Sequence, residues 1–381
     1  MRLRLKTRRW GSRLAALAPW IAALGLAAPR PLAAEDRILL RGNYYREAST
    51  RILAPEVVVT KDLPDERFNV GVGYLLDAVS SASIAAGAAA VTGGDRVFTE
   101  MRHGTTVSAN SKLGDNYLSA YFRYSTESDY RSRRLGASYA RDVLQRSGTI
   151  SANYSYSFDS VYWIRANIRD LRDWTSTGDT NLLQVHYLNL GYSHALHPTV
   201  LAGVNVEGIV ARGPQDNPYR KVLNGLDESH PLLRLRLAPS LFVRWAIPKA
   251  RLVVEPRYRY YADDWGIQAH AIDTRVHIRA TRNLLFRLRY RYYSQSGAFF
   301  WSEDGVFEPD APYRTADPKV SRFLSHTPGA QVAFRMDPIA ERVEALHFLR
   351  GAWIQATYNH IFQTNRFGNA RLGSLSLSLP F

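Results

Sequence analysis

The final stretch of the chain reads Arg371-Leu372-Gly373-Ser374-Leu375-Ser376-Leu377-Ser378-Leu379-Pro380-Phe381. Leu375, Leu377, Leu379 and Phe381 share one parity, and Ser374, Ser376 and Ser378 share the other. Side chains of a strand alternate between two faces, so this segment has one apolar face and one hydroxyl face. A helix would scatter the same residues around its circumference. The ending therefore predicts a β-strand, buried in something apolar on one side and wetted on the other.

The pattern recurs upstream. Thr149–Ser160 sets Ile150, Ala152, Tyr154, Tyr156 and Phe158 against Ser151, Asn153, Ser155, Ser157 and Asp159. Leu232–Trp245 sets Leu233, Leu235, Leu237, Leu241, Val243 and Trp245 against Arg234, Arg236, Ser240 and Arg244. Leu284–Tyr292 and Arg251–Tyr260 repeat the arrangement with Arg287, Arg289 and Arg291, and with Glu255, Arg257 and Arg259. Each segment has the length, ~10 residues, that a tilted strand needs to cross a bilayer. Phe68–Ala78 also alternates, with Val70, Val72, Tyr74 and Leu76 on one parity. Arg37–Arg46 and Ile52–Thr60 read as strands, although Pro55 points to an edge or a bulge in the second. Leu182–Tyr192 switches parity and predicts a bulge or an unusual register.

The N-terminus has the layout of an export signal. Arg2, Arg4, Lys6, Arg8, Arg9 and Arg13 precede an apolar run, Leu14–Ala28, and Leu32-Ala33-Ala34 precedes Glu35-Asp36. A basic region, a short apolar region and small residues describe a secretory signal peptide over residues 1–34. The apolar run is shorter than the ~18 residues of a spanning helix. Removing the segment takes away seven basic residues and no acid, lowering the formal charge from +15 to +8. Nucleic acid is accordingly not an expected partner. The remaining residues, 35–381, are read as one barrel domain. Cysteine is absent, which excludes thiolate chemistry and disulfides. The 22 tyrosines and 8 tryptophans suit interfacial belts. No apolar stretch after the signal reaches helix-spanning length, so membrane residence requires a closed barrel without unpaired edges.

Connections alternate in length. Short turns fall at Gly114-Asp115, Arg146-Ser147-Gly148, Leu196-His197-Pro198, Pro248-Lys249 and Thr281-Arg282-Asn283. Longer links fall at Arg165–Asn181, Ala211–Pro231, Asp263–Gly266, Gln295–Thr327 and Gln363–Ala370. Antiparallel outer-membrane barrels have short periplasmic turns and longer external loops. The fold class expected is therefore all-β: a transmembrane antiparallel β-barrel of about 16 strands, with 14 the alternative, both termini periplasmic. The link Gln295–Thr327, carrying Phe299, Phe300 and Trp301, is long enough to fold into the mouth as a constriction.

Ending on phenylalanine after such a strand resembles bacterial outer-membrane β-barrel proteins. In that class the last strand is read by the barrel-assembly machinery, which makes Leu375, Leu377, Leu379 and Phe381 the candidate insertion signal. The segments Arg41-Gly42-Asn43-Tyr44-Tyr45-Arg46-Glu47-Ala48-Ser49-Thr50-Arg51, Lys61-Asp62-Leu63-Pro64-Asp65-Glu66-Arg67 and Ser80-Ser81-Ala82-Ser83-Ile84 resemble a family of outer-membrane proteins defined as a domain of unknown function. That resemblance spans the whole chain after the signal. It implies a barrel in the bacterial outer membrane and assigns no functional residue. It also implies a place near envelope redox systems.

The candidate site is an arginine ladder. If the apolar parity faces lipid, Arg234, Arg236, Arg244, Arg257, Arg259, Arg275, Arg279, Arg287, Arg289, Arg291 and Arg335 face the lumen. Glu255 and Asp273 are the acids on the same strands, with Asp263, Asp264, Glu303, Asp304, Glu308 and Asp310 in nearby loops. Guanidinium groups stay charged and would draw anions into a pore. The competing reading is an interior zipped shut by Arg–acid pairs, a non-conducting scaffold for a periplasmic or lipoprotein partner. A lipid-modifying enzyme would use a rim histidine such as His270 or His360, but no partner spacing identifies a triad and no Gly-x-Ser-x-Gly elbow occurs. His194 and His197 flank a turn without a third ligand, so no metal is expected. No catalytic residue and no cofactor is expected. Expected partners are outer-membrane lipid, lipopolysaccharide and anionic solutes.

Overall fold

The computed structural model describes residues 36–48, 50–63, 67–82, 97–128, 130–166, 174–217 and 220–381, with side chains of 80–100 and 162–181 excepted. The expected signal segment, 1–34, lies outside the described residues. Sixteen strands follow one another: β1 (Arg37–Arg46), β2 (Thr50–Asp62), β3 (Phe68–Ala82), β4 (Val97–Leu113), β5 (Asn116–Thr126), β6 (Tyr130–Val143), β7 (Gly148–Ala166), β8 (Trp174–His197), β9 (Val200–Arg212), β10 (Leu233–Ile247), β11 (Leu252–Asp263), β12 (Gln268–Arg279), β13 (Leu284–Gln295), β14 (Phe323–Arg335), β15 (Trp353–Gln363) and β16 (Ala370–Pro380). Each pairs antiparallel with its sequence neighbours, and β1 pairs with β16 to close the barrel. The count is 16, not 14.

Parity does what the alternation predicts. Leu233, Leu235, Leu237 and Leu241 are exposed, at 45%, 46%, 52% and 51%. The intervening Arg234, Arg236 and Arg244 are only partly accessible. A face of exposed leucines and valines continues around the outside, through Val57, Val72, Val107, Leu135, Leu190, Val206, Leu288 and Leu375. No helix among the described residues is long and apolar enough to cross a membrane.

Three local expectations need correction. Pro55 pairs with Gly42 on the β1 side, while on the β3 side the ladder skips Ala54 and Pro55 without a register shift, so the proline interrupts one ladder but makes neither an edge nor a bulge. Residues 182–192 pair with β7 without a shift, and the register breaks lie at Tyr162/Ile164 and Ala195/His197 instead. Both neighbours of the expected link 165–181 continue as strand, leaving only residues 167–173 outside the two strands.

The alternation of turn lengths breaks on both sides: at the long-loop end β1–β2, β5–β6 and β11–β12 are joined by only 47–49, 127–129 and 264–267, so the expected longer link Asp263–Gly266 is a short turn. At the short-turn end, residues 336–352 form a foot: a one-turn helix, Asp337–Ala340, and a 3-10 stretch, Glu344–Leu349. Ala340, Leu349 and Ala352 are buried there and pack against Leu377 and Leu379 of β16. Leu375 and Phe381 stay exposed, at 57% and 59%. The candidate insertion strand is thus partly covered from outside.

Candidate functional site: an arginine wall beneath a two-loop cap

Strands β10 to β13 set their inward residues side by side. The register places Glu255 opposite Arg275 and Arg275 opposite Arg289. One turn of the pleat further toward the long loops, Phe242 faces Arg257 and Arg257 faces Asp273. Acids and bases therefore interleave across the wall instead of forming a uniform ladder.

Glu255 is the centre of this network and is 2% exposed. It accepts from Arg244 Nη2 at 2.6 Å and Nε at 2.7 Å, and lies 3.5 Å from Arg257 and 3.7 Å from Arg275. Asp273 accepts from Arg275 Nε at 3.2 Å and Arg289 Nε at 3.0 Å. Near the long-loop end, Asp263 accepts from Arg234 Nε at 2.9 Å and from the Tyr261 hydroxyl at 2.7 Å. Arg259 reaches past β10 to Glu207 of β9, which also accepts from Tyr187 at 3.2 Å. Arg335 pairs with Asp337 at the foot, and Arg279 ends β12 at the short-turn end.

Three members of the ladder have no acid partner among the described residues: Arg236, Arg287 and Arg291. Arg236 contacts only the Gln215 side-chain oxygen, at 3.5 Å, and its Nε is buried without an acceptor. The Arg291 guanidinium lies 5.2 Å from the Tyr293 ring centre. The wall is a partly neutralised cationic surface. Glu207 escaped the sequence reading because Ile209 shares its inward face and blurs the alternation of β9. Opposite the wall, Arg123 and Arg134 also point inward, side by side in the β5–β6 ladder.

The long-loop end carries two interlocked loops, residues 213–217 with 220–232, and residues 296–322. Ser229 and Arg314 exchange backbone hydrogen bonds of 3.0 and 2.9 Å, and Leu223 N–H donates to Gly305 at 2.9 Å. Glu228, whose side chain is fully buried, accepts from the Thr315 hydroxyl at 2.7 Å and the Ala316 N–H at 2.9 Å. Arg220 bridges Asp317 at 2.9 Å and Glu228 at 3.5 Å. Beneath, Trp265, Ile267, Ala298, Phe300 and Val320 form a small core. The Arg234 guanidinium sits 3.8 Å from the Trp265 ring centre, tying cap to wall. His230 packs edge-on to Trp265 at 5.3 Å, and burial pushes its imidazole below the ordinary range against the opposing pull of Glu228. The long link expected at the mouth is tied to a second loop at the long-loop end, and Lys319 and Arg220 from the two border one cavity.

Between cap and wall remains a cavity of about 1000 Å³. Arg220, Arg291 and Lys319 line it together with Glu47, Glu127 and Asp216, so the entrance carries both signs. The rim histidines are occupied: the hydroxyls of Tyr258 and Tyr358 lie 2.7 and 3.3 Å from Nδ1 of His270 and His360. His197 bonds to Thr199 at 2.8 Å, and His194 stacks on Tyr192. No cluster of metal-ligating residues occurs among the described residues.

A family model for a protein of unknown function, DUF3570, matches residues 92–345, and the chain belongs to that family. No protein of curated function matches. Among solved structures, CdiB from Acinetobacter baumannii superposes with a TM-score of 0.51 at 7% identity, covering 91% of this chain and 60% of that one. A bacterial polysaccharide outer membrane secretin gives 0.48 at 8%, covering 92% and 99%. Pseudomonas aeruginosa OprD gives 0.43 at 10%, covering 91% and 94%. At such identities the likeness is one of fold: a closed antiparallel barrel of the outer-membrane type.

Proposed function

We infer that the protein is an outer-membrane pore passing small solutes, with a preference for anionic ones. The membrane reading rests on the continuous outward band of exposed aliphatic side chains around a sheet with no open edge. A 16-stranded barrel is wide enough for an aqueous channel unless it is plugged. The observation that carries the preference is the placing of Arg236, Arg287 and Arg291 on the inward wall without acid partners among the described residues, beside arginines whose charge is only partly matched. Guanidinium groups keep their charge at any ambient pH and raise the local anion concentration.

Planar-bilayer recording under a potassium chloride gradient tests this directly. The expected reversal potential has the sign of a chloride-preferring channel. A cation-preferring channel would overturn the preference. A silent barrel would favour a second reading, a non-conducting scaffold. The interlocked Glu255 network and the two-loop cap are the features that support that alternative.

A further inference from the structure

The outside of the barrel carries a second group of arginines, arranged unlike those within. Arg46 ends β1, Arg51 is the second residue of β2, and Arg371 is the second residue of β16. The ladder pairs Arg46 directly with Arg51 on one side and with Arg371 on the other. His360 of β15 faces Arg371 in the next ladder. Four basic side chains thus stand abreast on neighbouring strands, about 5 Å apart from strand to strand.

Parity fixes which way they point. Two residues nearer the short-turn end, the same faces carry Tyr44, Leu53 and Tyr358, exposed at 39%, 54% and 50%. Another step along lies Leu375, at 57%. The row therefore lies near the long-loop edge of the outward apolar band, with Phe362 beyond His360 on β15. The three arginines are exposed, and none has an acid partner among the described residues. The nearest acid in sequence, Glu47, is buried and turned to the Tyr45 hydroxyl at 2.6 Å.

Like charges directly opposite one another in a ladder are destabilising, and here three guanidiniums do so side by side. Hydrocarbon on one flank would leave them less solvated than on a soluble surface. His360 lies beside the row with its ring stacked on Phe362 at 4.2 Å. An anion resting against the row would relieve the repulsion among the guanidiniums.

We propose that Arg46, Arg51 and Arg371 form a binding site for a phosphorylated glycolipid of the outer leaflet, with its phosphates on the guanidinium row and its acyl chains over Tyr44, Leu53, Tyr358 and Leu375. Arginine forks match phosphate oxygens two at a time. The adjoining apolar face selects an amphiphile over free phosphate, and the position at the long-loop edge selects the outer leaflet. This inference rests on the outer-membrane reading of the fold, but not on conduction.

The test uses the full-length mature barrel in non-ionic detergent, titrated with bisphosphorylated lipid A, its dephosphorylated form and phosphatidylglycerol, and read by native mass spectrometry. The bisphosphorylated lipid should bind at least ~10-fold more tightly than the dephosphorylated one, about the effect of one or two charge-assisted hydrogen bonds. The combined Arg46→Gln, Arg51→Gln and Arg371→Gln variant should abolish that difference while leaving single-channel conductance unchanged, because the row lies outside the wall. Should that variant fail to give a heat-modifiable folded band, Arg371→Gln alone is read and should lose at least ~3-fold. Equal binding of the two lipid A forms, or undiminished preference in the variants, overturns the site. Phosphatidylglycerol binding as tightly as bisphosphorylated lipid A overturns the glycolipid assignment. A protein that stays soluble without detergent would instead overturn the barrel-in-membrane reading itself.

Discussion

Replacing Glu255 by glutamine removes one charge from the best-connected point of the inner wall while keeping its volume. Its carboxylate serves Arg244, Arg257 and Arg275, whose side chains are 13%, 35% and 21% exposed. Breaking a fully buried pair costs ~3–5 kcal/mol. Here the stranded guanidiniums can rehydrate from the lumen, which lowers the expected loss of stability to ~1–3 kcal/mol. The electrical effect is opposite in kind. A unit charge ~8 Å from a permeating ion changes its energy by ~0.5 kcal/mol in water and ~2 kcal/mol at an effective dielectric of about 20. Even the lower figure changes an ion's local concentration ~2-fold. Glu255→Gln should therefore raise the chloride-to-potassium permeability ratio at least ~2-fold, and more at low salt, where screening is weaker. Reversal potentials measured at several salt concentrations supply the ratio, and urea unfolding in detergent supplies the stability. Adding Arg244→Gln to the same chain restores the charge balance and should return selectivity toward the parent. A conducting variant whose reversal potential does not move would refute the reasoning, because the Glu255 wall would then not border the ion path.

Three further outcomes are expected. Arg220→Ala leaves Glu228 buried without its guanidinium, a local loss of ~3–5 kcal/mol; protease should cut residues 296–322 faster while the barrel stays heat-modifiable, and an unchanged cutting rate would count against the cap. His230 is held neutral by burial, so the folded cap binds fewer protons than the open one wherever the exposed imidazole is charged. Its contribution is present above about pH 6.5 and lost as pH falls below that value, so the same cutting rate should rise on mild acidification in the parent and stay flat in His230→Phe. A methyl group at Gly203 would lie 2.5 Å from the Phe242 ring and 2.9 Å from the Tyr192 carbonyl oxygen, whereas none of its neighbours lies within 4 Å at Gly208. Gly203→Ala should cost ~1–3 kcal/mol in urea unfolding and Gly208→Ala little, and equal midpoints for the two would contradict the packing.

What could be read in the sequence follows from how strongly each feature writes itself into parity. Strands β10 to β13 were legible because arginines on one face and leucines on the other leave no ambiguity of period. Their ladder and its acids, Glu255 and Asp273, came out of the same alternation. The matching of particular arginines to particular acids did not, because register is set by pairing with neighbours that no single strand displays. Arg259 bonding to Glu207 across an intervening strand is the clearest case. The cap was half legible: the aromatics Phe299, Phe300 and Trp301 marked residues 295–327 as more than a tether. Its partner loop could not be found, since Ser229 and Arg314 are far apart in the chain and share no periodic signal. The foot has a readable start in Asp337-Pro338, with Ile339, Val343 and Leu346 at helical spacing, but strand alternation says nothing about that segment.

Arginine serves opposite ends on the two faces of this sheet, and the contrast follows from what lies beyond each face. Inward, water and neighbouring strands are both available, so guanidiniums can be matched by carboxylates placed on the next strand, as Arg244 is by Glu255 and Arg289 by Asp273. A wall made only of arginines would repel itself across each ladder, and interleaved acids relieve that repulsion while leaving a net positive surface. Outward, a carboxylate beside Arg46, Arg51 and Arg371 would satisfy them equally well in isolation. It would also cancel the charge that a phosphorylated surface could use, and it would face repulsion from every headgroup at that level. Omitting the acid makes the row unfavourable alone and favourable against an anionic leaflet. At the foot end the outward Lys61 is paired with Asp36. The unpaired outward row belongs to one edge of the barrel, the one where phosphates of an outer leaflet would lie.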